Sequence, residues 1–348
     1  MTTIAQPVPS APRGRHGSPG APRLAIAYVT CAACVPYIVL KLIWLFGGNL
    51  GVNDPGAMHS TKTQVANVIT FALDTTTILI VLAFTYGWGR RLPSWLVVVP
   101  IWVGTGLLAP LTLAVPLGTV VQFALGEGSP TSAPGASMLD PWVFVVVYGG
   151  FIMQAAGLTI AFVLYARARW PEVFALLARD VPAGPTDVMR RFLVWAAAVP
   201  MAFAVVVDLY WAFGGTGGRT VDLSTTQQVV QFVHGSVALA GAAGALALVQ
   251  RRRGRLIVPM TAAWIGGGAG FSYGLFTCLV AADPDTSTLM GLEALASMLG
   301  GLVIGLAGAS LLAERAAERA SGAGSGAERA AGRGRDGQSA SPTASSTP

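Results

Sequence analysis

The segment 44–48, Trp-Leu-Phe-Gly-Gly, returns 167 residues later as 211–215, Trp-Ala-Phe-Gly-Gly. A polar segment follows each copy, Ser-Thr-Lys-Thr-Gln-Val at 60–65 and Ser-Thr-Thr-Gln-Gln-Val at 224–229. A third pair follows in the same order, Trp-Val-Gly-Thr-Gly at 102–106 and Trp-Ile-Gly-Gly-Gly at 264–268. The three pairs are 167, 164 and 162 residues apart, so the sequence predicts two copies of one structural unit.

The composition is that of a membrane protein. Hydrophobic residues make up 53% of the chain and charged residues 11%, against about a quarter in soluble domains. Apolar stretches of about 20 residues can cross a bilayer as helices. Eight such stretches are predicted, at 24–47, 63–87, 95–124, 141–166, 191–214, 226–250, 256–281 and 288–312. Three prolines, Pro100, Pro110 and Pro116, raise the prospect of a break in the third.

The basic residues alternate with the predicted helices. Of the 22 Lys and Arg residues, 19 lie before helix 1, in every second loop, or after helix 8. The charged residues of the opposite loops are mostly acidic, and Lys62 and Arg219 are the only cations there. Because positively charged loops stay in the cytoplasm, both termini are predicted to be cytoplasmic. This placement explains the net charge of +6 without nucleic-acid binding.

The predicted fold is an all-α integral membrane protein of eight transmembrane helices. Each unit has four helices, so the two repeats enter the membrane in the same orientation and are parallel. The predicted divisions are a disordered N-terminal tail (1–23), repeat 1 (24–169), a cytoplasmic linker (170–190), repeat 2 (191–313) and a disordered C-terminal tail (314–348).

Polar residues inside the predicted helices concentrate in the outer half of the membrane or at its midplane. Ionisable groups in a span are costly, usually face the bundle interior and indicate function. We therefore predict a polar cavity between the repeats, open or gated toward the outside. The residues concerned are Lys41, Asn67, Asp74, Asp208, Gln231, His234 and Glu293.

Three acids are candidate catalytic residues: Asp74, the most isolated of them, Asp208 and Glu293. Lys41 and Asp208 occupy equivalent positions in the two copies, each three residues before the tryptophan, and could face each other as an ion pair. His234 is the only histidine in a predicted span, so it is interpreted as a hydrogen-bonded interior residue. No metal site and no cofactor are predicted.

Aromatic residues form the second component of the predicted site. Trp44, Trp102, Trp211 and Trp264 are paired by the repeat, and Tyr210 adjoins Trp211. Aromatic faces can stabilise a cation or line an apolar chamber. The alternative is that they anchor the helices at the membrane interface.

The pattern Pro-Tyr-x-x-Leu-Lys-x-x-Trp-x-x-Gly-Gly at 36–48 resembles an element of uncharacterised actinobacterial multi-pass membrane proteins. The resemblance covers only helix 1 and its outer end. It implies residence in a bacterial plasma membrane and no particular activity. The second copy departs from it, with Asp208 in place of the lysine.

Three functions stay open from the sequence. The first is binding of a hydrophobic or amphipathic small molecule in the outer cavity, in one version by a membrane enzyme. Such an enzyme would use acid chemistry on an isoprenoid or lipid, as terpene cyclases do. The second is proton-coupled transport of a small molecule, and the third a non-catalytic scaffold or sensor. Membrane lipid is an expected partner in each, and protein partners are unknown.

Overall fold

Eight long helices dominate the structure, a computed structural model that describes residues 20–127, 138–169, 171–180, 184–219, 222–280, 287–311 and 314. The long helices are α1 Ala21–Leu45, α2 Thr61–Thr85, α3 Ser94–Ala124, α4 Pro141–Arg169, α5 Asp187–Ala212, α6 Thr225–Val249, α7 Ile257–Val280 and α8 Thr288–Leu311. The short helices are Pro55–Met58, Gly87–Arg90, Pro171–Ala175 and Ala178–Asp180. Within the described ranges, β-structure is limited to two isolated bridges.

Seven of the described helices are long and apolar enough to cross a membrane, and the chain is a multi-pass membrane protein. The seven do not include α7, a 24-residue helix that packs against α3 and α6. Large apolar side chains on the outer surfaces of the helices, such as Val145, Val199 and Leu239, are exposed from the protein and suit contact with lipid.

Local sequence explains where the repeated helices begin. Ser60 caps α2 by accepting a hydrogen bond from the Thr63 N–H. Ser224 caps α6 in the same way and forms a full capping box with Gln227. Both serines belong to the repeated polar segment, so that segment serves as the start signal of the second helix in each half.

The third helix is not interrupted. It runs unbroken for 31 residues through Pro100, Pro110 and Pro116, contrary to the break that these prolines suggested. A proline removes one backbone hydrogen bond, but neighbouring helices can accommodate prolines inside a membrane. Helices α4, α6 and α7 all pack against α3.

Alternate loops lie at opposite ends of the bundle. At one end, Val52 pairs with Leu139, and the Thr225 hydroxyl donates to Glu127 at 2.5 Å. We call this the acidic end. At the other end, Ala178 N–H donates to the Gly254 carbonyl at 2.9 Å. We call this the arginine-rich end.

The arginine-rich end is joined to the start of the predicted C-terminal tail. Arg190 is buried and pairs with both Asp187 and Glu314, while Arg251 pairs with Asp187. Glu314 is the last described residue, so residues 315–348 of that predicted tail lie outside the described ranges, as do residues 1–19 at the N-terminus. Helix α1 begins at Ala21, three residues before its predicted start.

The two halves pack similarly but not identically. Helix α1 packs on α2 and α4, and α5 packs on α6, while Met201 of α5 meets Gly300 of α8. However, α6 also packs extensively against α3 and α7, whereas its counterpart α2 makes much weaker contact with α3 and α7. The second helix of the second half is therefore the more central one.

Candidate functional site

Three ionisable side chains from three helices meet in the second half of the chain. Asp208 of α5, His234 of α6 and Glu293 of α8 are all buried, with exposed fractions of 0%, 1% and 3%. One nitrogen or oxygen of each lies within 4.8 Å of those of the other two. His234 Nδ1 donates to Asp208 Oδ2 at 2.8 Å. We call these three residues the acid–histidine cluster.

Gln231 and Arg219 extend the cluster toward the acidic end. With its amide oriented to satisfy both neighbours, Gln231 donates to Asp208 Oδ1 at 3.0 Å and accepts from Arg219 Nη2 at 2.5 Å. The Arg219 guanidinium lies 4.2 Å from the centre of the Trp211 ring. Burial lowers the pKa of Arg219, while the nearby Asp208 and Glu293 charges act in the opposite direction.

Several polar atoms in and beside the cluster have no hydrogen-bond partner. Glu293 Oε1 and Ser297 Oγ are buried and unpartnered. His234 Nε2 also lacks a well-formed hydrogen bond, although it faces the backbone of Ala269. Because an unsatisfied buried polar group costs about 1–3 kcal/mol, these atoms mark a place where a water, an ion or a ligand could bind.

An open pocket of about 210 Å³ lies at the acidic end of the second half. It is lined by Trp211, Gly214, Gly215, Thr216, Arg219, Asp222, Leu223 and Gln228. Arg219 and Trp211 belong both to this pocket and to the surroundings of the acid–histidine cluster. The pocket is thus connected to the cluster through the Arg219 side chain.

The first half holds a different polar group at the corresponding place. Lys41 Nζ donates to Asn67 Oδ1 at 2.7 Å. The ammonium lies 4.5 Å from the Tyr37 ring centre and 5.2 Å from that of Trp44. These distances suit cation–π contacts, so Lys41 is held by one amide oxygen and two aromatic faces.

Asp74 is buried on α2, seven residues after Asn67 and near the Lys41 cage. Its exposed fraction is 4%, and its Oδ2 has no hydrogen-bond partner. Gln154 of α4 lies beside it, and Lys41 is within electrostatic range. The structure therefore places Asp74 with Lys41 and Asn67, apart from the acid–histidine cluster.

Lys41 and Asp208 do not form the ion pair that their equivalent positions suggested. Among the described residues, Lys41 is bound to Asn67 and Asp208 to His234, each within its own half. The reason is the packing: α3, α6 and α7 make the main contacts between the halves, so α1 and α5 stay on opposite sides.

Trp44 and Trp211 have matching local geometry. Trp44 Nε1 donates to the Leu50 carbonyl at 2.9 Å, and Trp211 Nε1 donates to the Gly217 carbonyl at 3.0 Å. The turn after each helix needs a left-handed glycine, Gly47 or Gly214, both at φ +88°. Of the two tryptophans, Trp211 also lines the pocket.

Trp102 and Trp264 lie at the contact between the halves. Trp102 Nε1 donates to the Trp264 carbonyl at 3.0 Å, and Trp264 Nε1 donates to Thr105 Oγ1 at 3.0 Å. A Cβ on Gly106 would lie 2.2 Å from the Gly268 carbonyl carbon, so the two backbones are in close contact there. Trp102 and Trp264 therefore hydrogen-bond across the contact between the halves, and their role in ligand binding stays a prediction.

Tyr210 lies on the outside of the turn rather than in the cluster. Its side chain is 48% exposed, and its hydroxyl oxygen accepts from the Gly217 N–H at 3.0 Å. The other predicted site residues separate into three places. They are the cluster with Gln231 and Trp211, the Lys41 cage with Asn67 and Asp74, and the contact between Trp102 and Trp264.

The sequence analysis missed two contributors, Arg219 and Gln154. The available signal for Arg219 is that it is a cation in a loop whose other charged residue is acidic. The signal for Gln154 is that it is the one amide in an otherwise apolar helix. The ring centre of Tyr273 lies 4.3 Å from that of His234, so one of the tyrosines that accompany the paired tryptophans also belongs to the surroundings of the cluster.

Compared with known proteins, the chain matches no family model, no curated protein and no solved structure.

Proposed function

We propose that the chain spans a bacterial plasma membrane with all eight long helices, as two parallel four-helix repeats with both termini in the cytoplasm. The arginine-rich end is then cytoplasmic and the acidic end is outside. Two local matches support the repeat. Lys41 contacts Asn67 and Asp208 contacts Gln231, the residue aligned with Asn67 by the 164-residue offset, and the glycines at 47 and 214 share one backbone conformation.

The protein binds a small amphipathic molecule that enters from the outside into the pocket beside the acid–histidine cluster. The observation that carries this proposal is Arg219, which lines the pocket and reaches the cluster through Gln231. A guanidinium can bind a carboxylate or phosphate group, and Trp211 with Leu223 can cover an apolar part. The volume of about 210 Å³ suits a small molecule or one end of a longer one.

This site differs in position from the cavity expected between the repeats. The pocket belongs to the second half, while Trp102, Trp264 and their glycines occupy the contact between halves. Duplication then supplies a scaffold in which one copy keeps its own ammonium, Lys41, and the other presents an acid–histidine cluster to a ligand.

Mass spectrometry of small molecules that co-purify with the protein in lipid nanodiscs tests this function. Thr216→Trp fills the pocket mouth without touching the cluster. Asn49→Trp is the matched control, because Asn49 occupies the corresponding exposed turn of the first half. A molecule enriched on the wild type and on Asn49→Trp but lost from Thr216→Trp is expected. Equal content in all three samples contradicts the proposal.

Asp74 supports a second candidate function, acid chemistry on an isoprenoid or lipid. It is a buried carboxyl with one unpartnered oxygen, near Tyr37 and Gln154. Asp74→Asn keeps the shape and removes the acid, so turnover of a bound lipid should stop while its binding persists. Identical lipid products from the wild type and this variant would exclude the candidate.

A further inference from the structure

We propose that Asp208, His234 and Glu293 form a binding site for a divalent transition-metal cation such as Zn²⁺. The proposal goes beyond the small-molecule function, because the cation would occupy the buried cluster rather than the pocket. It also departs from the expectation that His234 is an ordinary interior residue.

The first argument is geometric. The three side chains come from α5, α6 and α8, and rigid helices hold one potential ligand atom of each within 4.8 Å of the others. A cation bound to His234 Nε2 and to Glu293 at ordinary metal–ligand distances of about 2.0–2.2 Å would leave Asp208 hydrogen-bonded to Nδ1, where it orients the imidazole. Within the described ranges, this is the one group of three such residues that the fold brings together.

The second argument is the unused binding capacity of the cluster. Glu293 Oε1 is buried and has no hydrogen-bond partner, and His234 Nε2, which faces the backbone of Ala269, has no well-formed hydrogen bond. Both side chains are at least 97% buried, so bulk water does not satisfy these atoms. A bound cation would satisfy the carboxylate oxygen and an imidazole nitrogen together.

Charge also favours a cation at this place. In the first half, a buried ammonium, Lys41, stands where Asp208 stands in the second half. In the second half, Asp208 pairs with His234, and Glu293 adds a second buried carboxyl whose Oε1 has no partner. An uncompensated buried charge is expensive, and a bound cation would compensate that of Glu293.

The donor set indicates which cations fit. One imidazole and two carboxylates suit Zn²⁺ and neighbouring transition metals, whereas Mg²⁺ and Ca²⁺ prefer oxygen-only sites. His234 and Glu293 as direct ligands leave coordination positions open, as in zinc sites that also bind water or a small molecule. The pocket lies on the acidic-end side of the cluster, and Arg219 contacts both.

Metal titration of the full-length protein tests the site. The protein in nanodiscs, without an affinity tag, is stripped with EDTA and titrated with Zn²⁺, and bound metal is counted by plasma mass spectrometry. We expect saturable binding of about one Zn²⁺ per chain that excess Mg²⁺ does not displace. His234→Gln and Glu293→Gln should abolish it. Asp208→Asn should weaken it about 10–100-fold, because Asp208 orients the imidazole through the Nδ1 hydrogen bond.

His59→Gln is the matched control, because His59 is a loop histidine hydrogen-bonded to Asn49, away from the cluster. It should bind zinc like the wild type. Absence of saturable zinc on the wild type overturns the proposal, and so does loss on His59→Gln with retention on Glu293→Gln. The wild-type stoichiometry decides even where a variant fails to fold. Because zinc alone is the probe, a negative zinc titration would overturn the metal site without deciding the small-molecule function. The pocket-blocking experiment with Thr216→Trp tests that function separately.

Discussion

Lys41 donates a 2.7 Å hydrogen bond to Asn67, and this bond links α1 to α2 across 26 residues of sequence. The same interval joins Asp208 to His234 in the second half, where a carboxylate accepts from an imidazole. The two halves therefore use the same two helices and opposite charges to build a buried polar contact. What differs is the group from the first helix of each half, an ammonium at Lys41 and a carboxylate at Asp208.

Lys41 and Asp208 should be energetically independent. Lys41→Met leaves the Asn67 carbonyl oxygen without its donor, and Asp208→Asn disturbs the bond to His234, so each should lower the free energy of unfolding by about 1–3 kcal/mol. Because the residues belong to separate sites, the double variant should show the sum within about 0.5 kcal/mol. Denaturant unfolding in detergent micelles measures the three values.

Lys41→Met combined with Asn67→Leu is the control for that cycle. These two residues are in direct contact, so their effects should not add, and a coupling of about 0.5–3 kcal/mol is expected. Coupling of that size between Lys41 and Asp208 instead would mean that the two charges interact across the halves.

The glycine contact between the halves should tolerate no side chain. Gly106→Ala would place a methyl group 2.2 Å from the Gly268 backbone, forcing α3 and α7 apart at a cost of about 1–3 kcal/mol. Gly104→Ala is the matched control, since nothing lies within 4 Å of its Cβ position. Thermal unfolding of both variants should show a loss only for Gly106→Ala. Similar melting temperatures for the two would contradict the close approach.

The turn that shapes the pocket should depend on backbone conformation rather than on space. Gly214 has φ +88° with no atom within 4 Å of its Cβ position. Gly214→Ala should therefore cost about 1–2 kcal/mol through left-handed strain alone. Gly87→Ala has equal space and no positive φ, so it should be neutral in the same thermal assay. A neutral Gly214→Ala would show that the turn changes its conformation readily.

Glu314 should stabilise the arginine-rich end in a pH-dependent way. The Thr186 N–H bond and the Arg190 guanidinium lower the pKa of its carboxyl below the usual 4.5. A lowered folded-state pKa gives stability that is present above the unfolded value and is lost as the pH falls through the folded value. The difference in thermal stability between wild type and Glu314→Gln should therefore be constant near neutral pH and shrink below pH 4.5. A difference that persists in acid would contradict this contact.

Much of the helical architecture could be predicted from the sequence, because hydrophobic length and charge alternation are local properties. The bounds of the eight long helices agree with the predicted stretches to within a few residues at most ends. The N-caps Ser60 and Ser224 are also visible in the sequence, since a serine with Gln227 three residues later is a capping box. The continuity of α3 could not be predicted from the sequence, because neighbouring helices decide whether a proline breaks a membrane helix.

The sequence indicated which polar residues are buried in the helices, but it did not indicate which of them contact one another. Repeat equivalence suggested that Lys41 and Asp208 face each other, but equivalence fixes position within a unit and not which helices touch. The central place of α6 set His234 between Asp208 and Glu293. Arg219 reaches the cluster from a loop, and no periodicity predicts where a loop side chain points.

The central claim is that the second repeat presents its pocket and cluster to the outside of the cell. Labelling with a membrane-impermeant maleimide tests it most directly, in a background where Cys31, Cys34 and Cys278 are replaced by alanine. Thr216→Cys probes the pocket mouth, and Arg252→Cys probes the arginine-rich end. We predict labelling of Thr216→Cys in intact cells and of Arg252→Cys only after permeabilisation. The reverse pattern, or labelling of both in intact cells, would contradict an outward-facing site.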